Sequence, residues 1–349
     1  MKKLPAIVLA PGLAALALLV VLGVATLTLH DGASPRSLAP EPDAPPPKPT
    51  IDFADYDRRM RILAQVPETA TNTDGLAWPV SAAYPEVGAI LPFKRIVAYY
   101  GNFYSKGMGV LGEYPEEVML EMFRKEIAAW EEADPETPVM PAIDYIAIVA
   151  QAGAGKDGMY RARMPHTEID KAVALAEKVD GIVILEVQAG LSDVMTEIRT
   201  LEPYLKMPQV HLAIDPEFAM KRRKAAPGTV VGTVSAAEVN EAIAYLSDIV
   251  RAENLPPKVL VVHRYTRPMV TEATDIEPTP EVQVVMDMDG WGGMSNKRAT
   301  YDAYIVSEPV QFTGFKLFYK NDRKWEGSRL YTPKEILELT PQPSFIQYQ

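Results

Sequence analysis

Hydrophobic and polar positions divide the chain into three textures. Residues 4–29 carry no charge and are almost wholly apolar, whereas 31–50 are rich in Pro, Ala, Ser and Asp. From residue 93 onward, short β-branched runs alternate with amphipathic stretches. The runs 96–100, 141–150, 181–187, 210–214, 259–263, 282–288, 303–306 and 314–319 predict eight strands. Most are near-continuously apolar, as expected of parallel strands buried on both faces.

Helical spacing fills the gaps. Residues 53–63 place Phe53, Tyr56 and Met60 on one face. Pro115 opens a helix with Met119, Phe123, Ile127 and Trp130 as its buried stripe. Thr167 and Asp170, at capping-box spacing, open another. Ser192 is a candidate cap ahead of Val194, Ile198 and Leu201. Ser235 and Glu238 form a capping box before Val239, Ile243, Leu246 and Val250. Residues 296–301 allow only a short helix, and Thr332, Pro333 and Glu335 begin the last one. The stretch 265–281 has weak helical signal and three prolines.

Eight strands alternating with helices over about 250 residues predict an α/β fold, a (β/α)8 TIM-type barrel. The competing doubly wound sheet would place a glycine-rich phosphate turn after the first strand. Here that position reads Gly101-Asn102-Phe103-Tyr104, without GxGxxG or Walker spacing. The expected organisation is a membrane anchor or signal segment at 1–29 and a Pro-rich linker at 30–50. An N-terminal extension packing on the barrel follows at 51–92, including an irregular surface segment around Asn72, Asp74 and Gly75, and the barrel itself occupies 93–349.

About 20 apolar residues suffice to cross a bilayer, and 4–29 is longer. Lys2 and Lys3 precede the run and stay cytoplasmic, so the rest of the chain is expected outside the cytoplasm, with the membrane as partner through the N-terminal helix. Gly23-Val24-Ala25 leaves a cleaved signal peptide open. The 349-residue chain has no cysteine, which excludes disulfides and cysteine lipidation, and 48% hydrophobic residues are enough for a core. A net charge of −11 argues against nucleic acid as a partner.

In such a barrel the working residues stand at the carboxyl ends of the strands. The third run ends in Glu186 and Gln188, the fourth in Asp215 and Glu217, the sixth in Asp287 and Asp289. Spacing by two puts Glu186 with Gln188, and Asp287 with Asp289, on one face. An acid placed directly after four or five apolar residues is costly to bury unless paired. Three of them at one edge point to chemistry, although Asp215, ahead of Pro216, also suits a cap. His263 follows an apolar run at the same end and suits an acid/base, a substrate donor or a metal ligand. His211 begins its strand and reads as structural, and His166 precedes a helix.

Tyr100, Gly101 and Asn102 close the first run; Asp289, Gly290 and Trp291 follow the sixth. Rings, an amide and glycines at a barrel mouth suit sugar binding. The substrate-binding candidates are therefore Tyr100, Asn102, Gln188, Glu217, His263, Asp287 and Trp291. Lys316, inside the last run, needs an acidic partner. The basic run at 221–224 reads as a solvated loop. No Gly-x-Ser-x-Gly elbow, zincin helix or His-x-His pair in the first strand occurs.

Several short motifs, taken in order, resemble a group of exported bacterial proteins, common in actinobacteria, that carry a glycosidase-like barrel. They are Tyr99-Tyr100-Gly101, Glu186-Val187-Gln188-Ala189-Gly190, Thr200-Leu201-Glu202-Pro203-Tyr204-Leu205 and Ile214-Asp215-Pro216-Glu217. Asp289-Gly290-Trp291-Gly292-Gly293, Thr300-Tyr301-Asp302 and Gly314-Phe315-Lys316-Leu317-Phe318-Tyr319 complete the set. Some members are labelled cell-wall-binding-repeat proteins. The resemblance spans residues 95–349 and implies a barrel and an envelope location, without a reaction. A likeness to chitinase-like barrels fails, because Val183 and Leu185 stand where that family has aspartates.

The leading expectation is a membrane-tethered, extracytoplasmic hydrolase of cell-envelope polysaccharide, with Glu186 and Asp215 as the catalytic carboxyl pair and Asp289 modulating them. It needs no cofactor. One alternative adds a divalent metal ion held by Glu186, Asp215, His263 and Asp289. Another is a non-catalytic wall-binding or scaffolding module.

Overall fold

The structure, a computed structural model, describes residues 50–67, 70 and 76–349. Of the anchor and linker expected at 1–50, residues 1–49 fall outside the described residues, as do 68–69 and 71–75 of the extension. Among the described residues no helix is long and apolar enough to cross a membrane.

Eight parallel strands build the barrel: β1 Arg95–Gly101, β2 Val139–Ala150, β3 Ile182–Val187, β4 Val210–Ile214, β5 Lys258–Arg264, β6 Val282–Met288, β7 Phe312–Leu317 and β8 Phe345–Tyr348. Each pairs in parallel with the next, and β8 pairs in parallel with β1, so the sheet closes on itself. Helices Glu116–Ala133, His166–Glu177, Val194–Arg199, Ala236–Glu253, Met294–Tyr301 and Pro333–Leu337 connect the strands. This is a (β/α)8 barrel.

The two-residue period of a strand sorts its side chains. Ile96 and Ala98 of β1, Ala142 of β2, Ile184 of β3, Ala213 of β4, Val259 and Val261 of β5, Val285 of β6, Phe312 of β7 and Phe345 of β8 form one buried cluster in the lumen. Tyr56 and Met60 join it from helix Phe53–Leu63, together with Ile90 and Leu91. That helix starts because Asp52 accepts from the Asp55 amide, and its i, i+4 pair Tyr56 and Met60 faces the barrel floor. Gln283 ties the floor down, its Oε1 accepting from the Ile90 and Leu91 amides at 3.0 and 3.1 Å. Met60→Ala should cost about 2–5 kcal/mol of stability, read as a lower urea midpoint with an unchanged slope.

Further along each strand the same inward parity turns polar, at Tyr100, Asp144, Glu186, Asp215, His263, Asp287, Lys316 and Gln347. The lumen is therefore apolar at the amino ends of the strands and charged at the carboxyl ends.

Two sequence expectations fail here. Residues 303–306 are not a strand but part of a π-helical turn, Asp302–Val306, that continues helix Met294–Tyr301. Only Ile305 of that turn is buried, so the apolar run covers one helix side instead of filling a sheet. The closing strand is Phe345–Tyr348, which makes the Lys316 strand the seventh. Two helix starts also differ. Helix His166–Glu177 begins behind Pro165 without a side-chain cap, so Thr167 does not cap it. Asp193 caps the next helix by accepting from the Thr196 amide, while Ser192 Oγ donates to Glu197 instead. The capping boxes Ser235/Glu238 and Thr332/Glu335 form as expected, and 265–281 holds only short 3-10 turns.

Candidate active site

A cavity of about 730 Å³ opens at the carboxyl ends of the strands. Tyr100, Gln188, Asp215, Glu217, Tyr265, Asp289, Trp291 and Lys316 all line it. A close backbone crossing fixes Tyr100: Gly101 and Gly109 have φ of 147° and 145°, and a Cβ on Gly109 would lie 2.3 Å from the Tyr100 carbonyl oxygen.

Asp215 follows β4 and caps the turn Pro216–Phe218. Its Oδ1 accepts from the Glu217 amide at 2.9 Å, and its Oδ2 accepts from Gln188 Nε2 at 3.3 Å. The same Gln188 nitrogen donates to Glu186 Oε1 at 2.9 Å, and Tyr100 OH donates to that oxygen at 2.8 Å. Gln188 therefore links the two acids. Across the cavity Lys316 Nζ lies 3.1 Å from Asp289 Oδ1 and 3.8 Å from the centre of the Tyr100 ring.

Beneath this floor, fully buried, His263 sits between acids. Its Nε2 is 3.0 Å from Glu186 Oε2, and its Nδ1 is 3.2 Å from Asp287 Oδ2 and 3.4 Å from Asp289 Oδ2. Gly314 makes the room: a Cβ there would strike Asp287 Oδ1 at 2.4 Å.

The acids split by environment. Burial, then the charge of Glu186, pushes the Asp215 carboxyl well above the usual aspartate range. Burial and then Asp289 raise Glu217. Burial also raises Asp144 strongly, with Glu186 adding to it, and raises Asp287. Burial would lift Glu186 too, but His263, Lys316 and Tyr100 bring it below its ordinary value. Burial alone would push His263 and Lys316 down; the surrounding carboxylates reverse this and hold both above their ordinary values.

The structure brings most of the expected residues together. Asp215, Glu217, Asp289, Tyr100, Gln188 and Trp291 face the cavity. Glu186, His263 and Asp287 adjoin it from below and do not line it. Asn102 turns away: its Nδ2 donates to the Ile146 carbonyl at 3.0 Å and its Oδ1 accepts from the Tyr104 amide, which fixes the loop. Trp291 is 52% exposed and stacks on Trp325 at 5.9 Å.

His211 is structural as expected, its Nδ1 accepting from the Val259 amide, and burial keeps it well below its usual range. The basic run is a surface loop in which Lys221 pairs with Asp193 and Arg222 with Glu238. Asp144, Gln347 and Tyr265 were not anticipated. Asp144 had a readable signal, an acid between Ala142 and Ile146 at their inward parity. Gln347 lay in the unrecognised strand.

No family model matches the chain, and no curated protein does. Among solved structures the chain is similar to a GH5 xyloglucan-specific endo-β-1,4-glucanase from a metagenomic library in complex with cellotriose, at 12% identity over 68% of this chain and 78% of that one, with a TM-score of 0.36. It is similar to a Bacillus subtilis mannanase at 10% identity over 73% and 79%, TM-score 0.35. The YdhT protein of Bacillus subtilis gives 11% over 73% and 80%, TM-score 0.37. At such values the fold assignment rests on strand pairing and the chemistry on the site.

Proposed function

We propose that the protein is a glycoside hydrolase acting on a polysaccharide, and that Asp215 is its proton donor. The observation that carries this reading is the pairing of unlike carboxyls around one aromatic-walled cleft. Asp215 and Glu217 are pushed toward the protonated form, and Asp289 is ion-paired with Lys316. Glycosidic cleavage needs one protonated and one ionised carboxyl flanking the bond. Asp215 gives its proton to the departing glycosidic oxygen while the carboxylate of Asp289 faces the positive charge that develops on the sugar ring; a water then adds to the anomeric carbon, and its proton restores the acid form of Asp215. Tyr265 and Trp291 line the cleft and offer faces on which sugar rings stack.

Glu186 is fully buried, so it works through others. It holds Tyr100 and Gln188 and its charge helps keep the proton on Asp215. It is a positioning residue in this reading, and the expected Glu186–Asp215 pair becomes Asp215 with Asp289.

The apolar run at 4–29 behind Lys2 and Lys3 supports a membrane tether with the barrel outside, and hence cell-envelope glycan as substrate. Protease added to spheroplasts should degrade the barrel; a chain that stays protected removes the envelope assignment. For the chemistry, the purified protein should release reducing ends from isolated envelope polysaccharide. Tight binding of that material without any release would make the protein a wall-binding module instead.

A further inference from the structure

Three buried side chains beneath the cleft share an unusual arrangement. Asp144, Glu186 and His263 are each 0% exposed, and one donor atom from each lies within 4.8 Å of the others. Glu186 and Asp144 each have one oxygen anchored and the other without a hydrogen bond, and neither ring nitrogen of His263 makes one. Glu186 Oε1 accepts from Tyr100 OH and Gln188 Nε2, leaving Oε2. Asp144 Oδ2 accepts from Gln347 Nε2 at 2.6 Å, leaving Oδ1. His263 Nδ1 faces Asp287 and Asp289, leaving Nε2. Glu186 Oε2, Asp144 Oδ1 and His263 Nε2 make no hydrogen bond. Buried polar atoms are rarely left so, because each costs about 1–3 kcal/mol.

We propose that Asp144, Glu186 and His263 bind a divalent transition-metal cation of the Mn2+ or Zn2+ type inside the barrel. Two carboxylates and an imidazole are a donor set for such ions, and the imidazole disfavours Ca2+ and Mg2+. Glu186 Oε2 and His263 Nε2 are 3.0 Å apart and not aligned for a hydrogen bond. That is the separation of two ligands on one ion with bonds of about 2.1 Å. Asp287 Oδ2 lies 3.2 Å from the other ring nitrogen, on the side where metal-bound histidines usually have a carboxylate. Charge agrees: near the carboxyls of Asp144, Glu186, Asp215, Asp287 and Asp289 the described residues place the cations Lys316, His263 and Lys297, and Lys297 is itself paired with Asp322. The ion fixes Glu186, and through it Tyr100 and Gln188 at the cleft floor. The site stands apart from the hydrolytic reading, since binding needs no glycan and no turnover.

The test uses the full chain, stripped with a chelator and titrated with Mn2+, Zn2+, Co2+ and Mg2+. Expected are about one equivalent bound, a higher unfolding temperature with Mn2+ or Zn2+, little response to Mg2+, and a visible Co2+ spectrum of mixed N/O ligation. Asp144→Asn and His263→Gln should each weaken binding at least about tenfold. Should a variant fail to fold, the Co2+ spectrum of the unaltered protein still decides. Substoichiometric metal with an unmoved unfolding temperature and no Co2+ absorption overturns the proposal, as does full affinity in both variants. Glycan release is not among the readouts, so failure of the hydrolase reading leaves this result standing.

Discussion

Asp215→Asn is expected to lower glycan release by about a hundred- to ten-thousand-fold while leaving the barrel folded. The amide keeps the shape of the carboxyl and its oxygen can still accept from the Glu217 amide, while its NH2 stands where an oxygen accepted from Gln188; it has no proton to give the leaving group. A purely structural aspartate would behave differently, and the sign of the stability change separates the two. Burial and Glu186 raise the Asp215 carboxyl in the folded chain. The folded state therefore holds this proton where the unfolded chain has lost it, so the residue's contribution to stability falls as pH rises above about 4. Asparagine imitates the protonated acid and escapes that loss. The variant should match the parent near pH 4 and unfold at a higher temperature at pH 7, with activity gone at both. The parent's activity should in turn fall on the alkaline side as Asp215 ionises. An active variant, or an inactive one that is destabilised at pH 7, removes Asp215 from the proton-donor role.

Lys316→Met should carry the largest stability cost of any single change at the site, about 3–5 kcal/mol. The ammonium is 2% exposed by residue, touches Asp289 at 3.1 Å and lies over the Tyr100 ring. Methionine fills much the same space, so cavity formation contributes little. What is lost is the cation that compensates Asp289, Glu186 and Asp287, all of them buried. Asp287, which burial already raises, takes up a proton as the pH falls, so the deficit should shrink at pH 5 relative to pH 7. Urea unfolding of chelator-treated protein at both values measures this. A deficit below about 1 kcal/mol at pH 7, the size of an exposed ion pair, would mean that the lumen is hydrated and its charges are screened.

Much of the barrel was readable because parallel strands buried on both faces leave uninterrupted apolar runs. The segments around Val183, Val210, Val261 and Val284 have no other good use. The two errors come from the same physics. Ala303, Tyr304, Ile305 and Val306 have a strand's composition yet lie beside a short helix, where one side only is covered. Phe345, Ile346, Gln347 and Tyr348 are a true strand, but Gln347 breaks the apolar run because its amide is needed in the lumen to hold Asp144. The site was legible at the level of which end and which strands, since acids closing apolar runs mark the carboxyl edge. Depth was not legible. Glu186 and Gln188 share a face, yet one is beneath the floor and the other lines the cleft, a distinction set by barrel curvature and by Tyr100 reaching across from β1. Nor could periodicity show that Lys316 answers Asp289, because that depends on the register of β6 against β7, in which Phe315 stands beside Met288.

That closure has a consequence for how the molecule is made. Ile96 pairs with Phe345 and Tyr99 with Tyr348, so the first strand in the chain waits for the last. Until β8 arrives, β1 and β7 present open backbone edges, the kind of surface on which nascent chains stick to one another. Pairing so distant in sequence also makes closure a slow step of assembly. Helix Phe53–Leu63 is made before any strand and seals the floor against which all eight gather. The order of synthesis thus supplies a template early and a lock late, and a chain halted before its final strand would be an aggregation-prone open sheet with its charged lumen exposed.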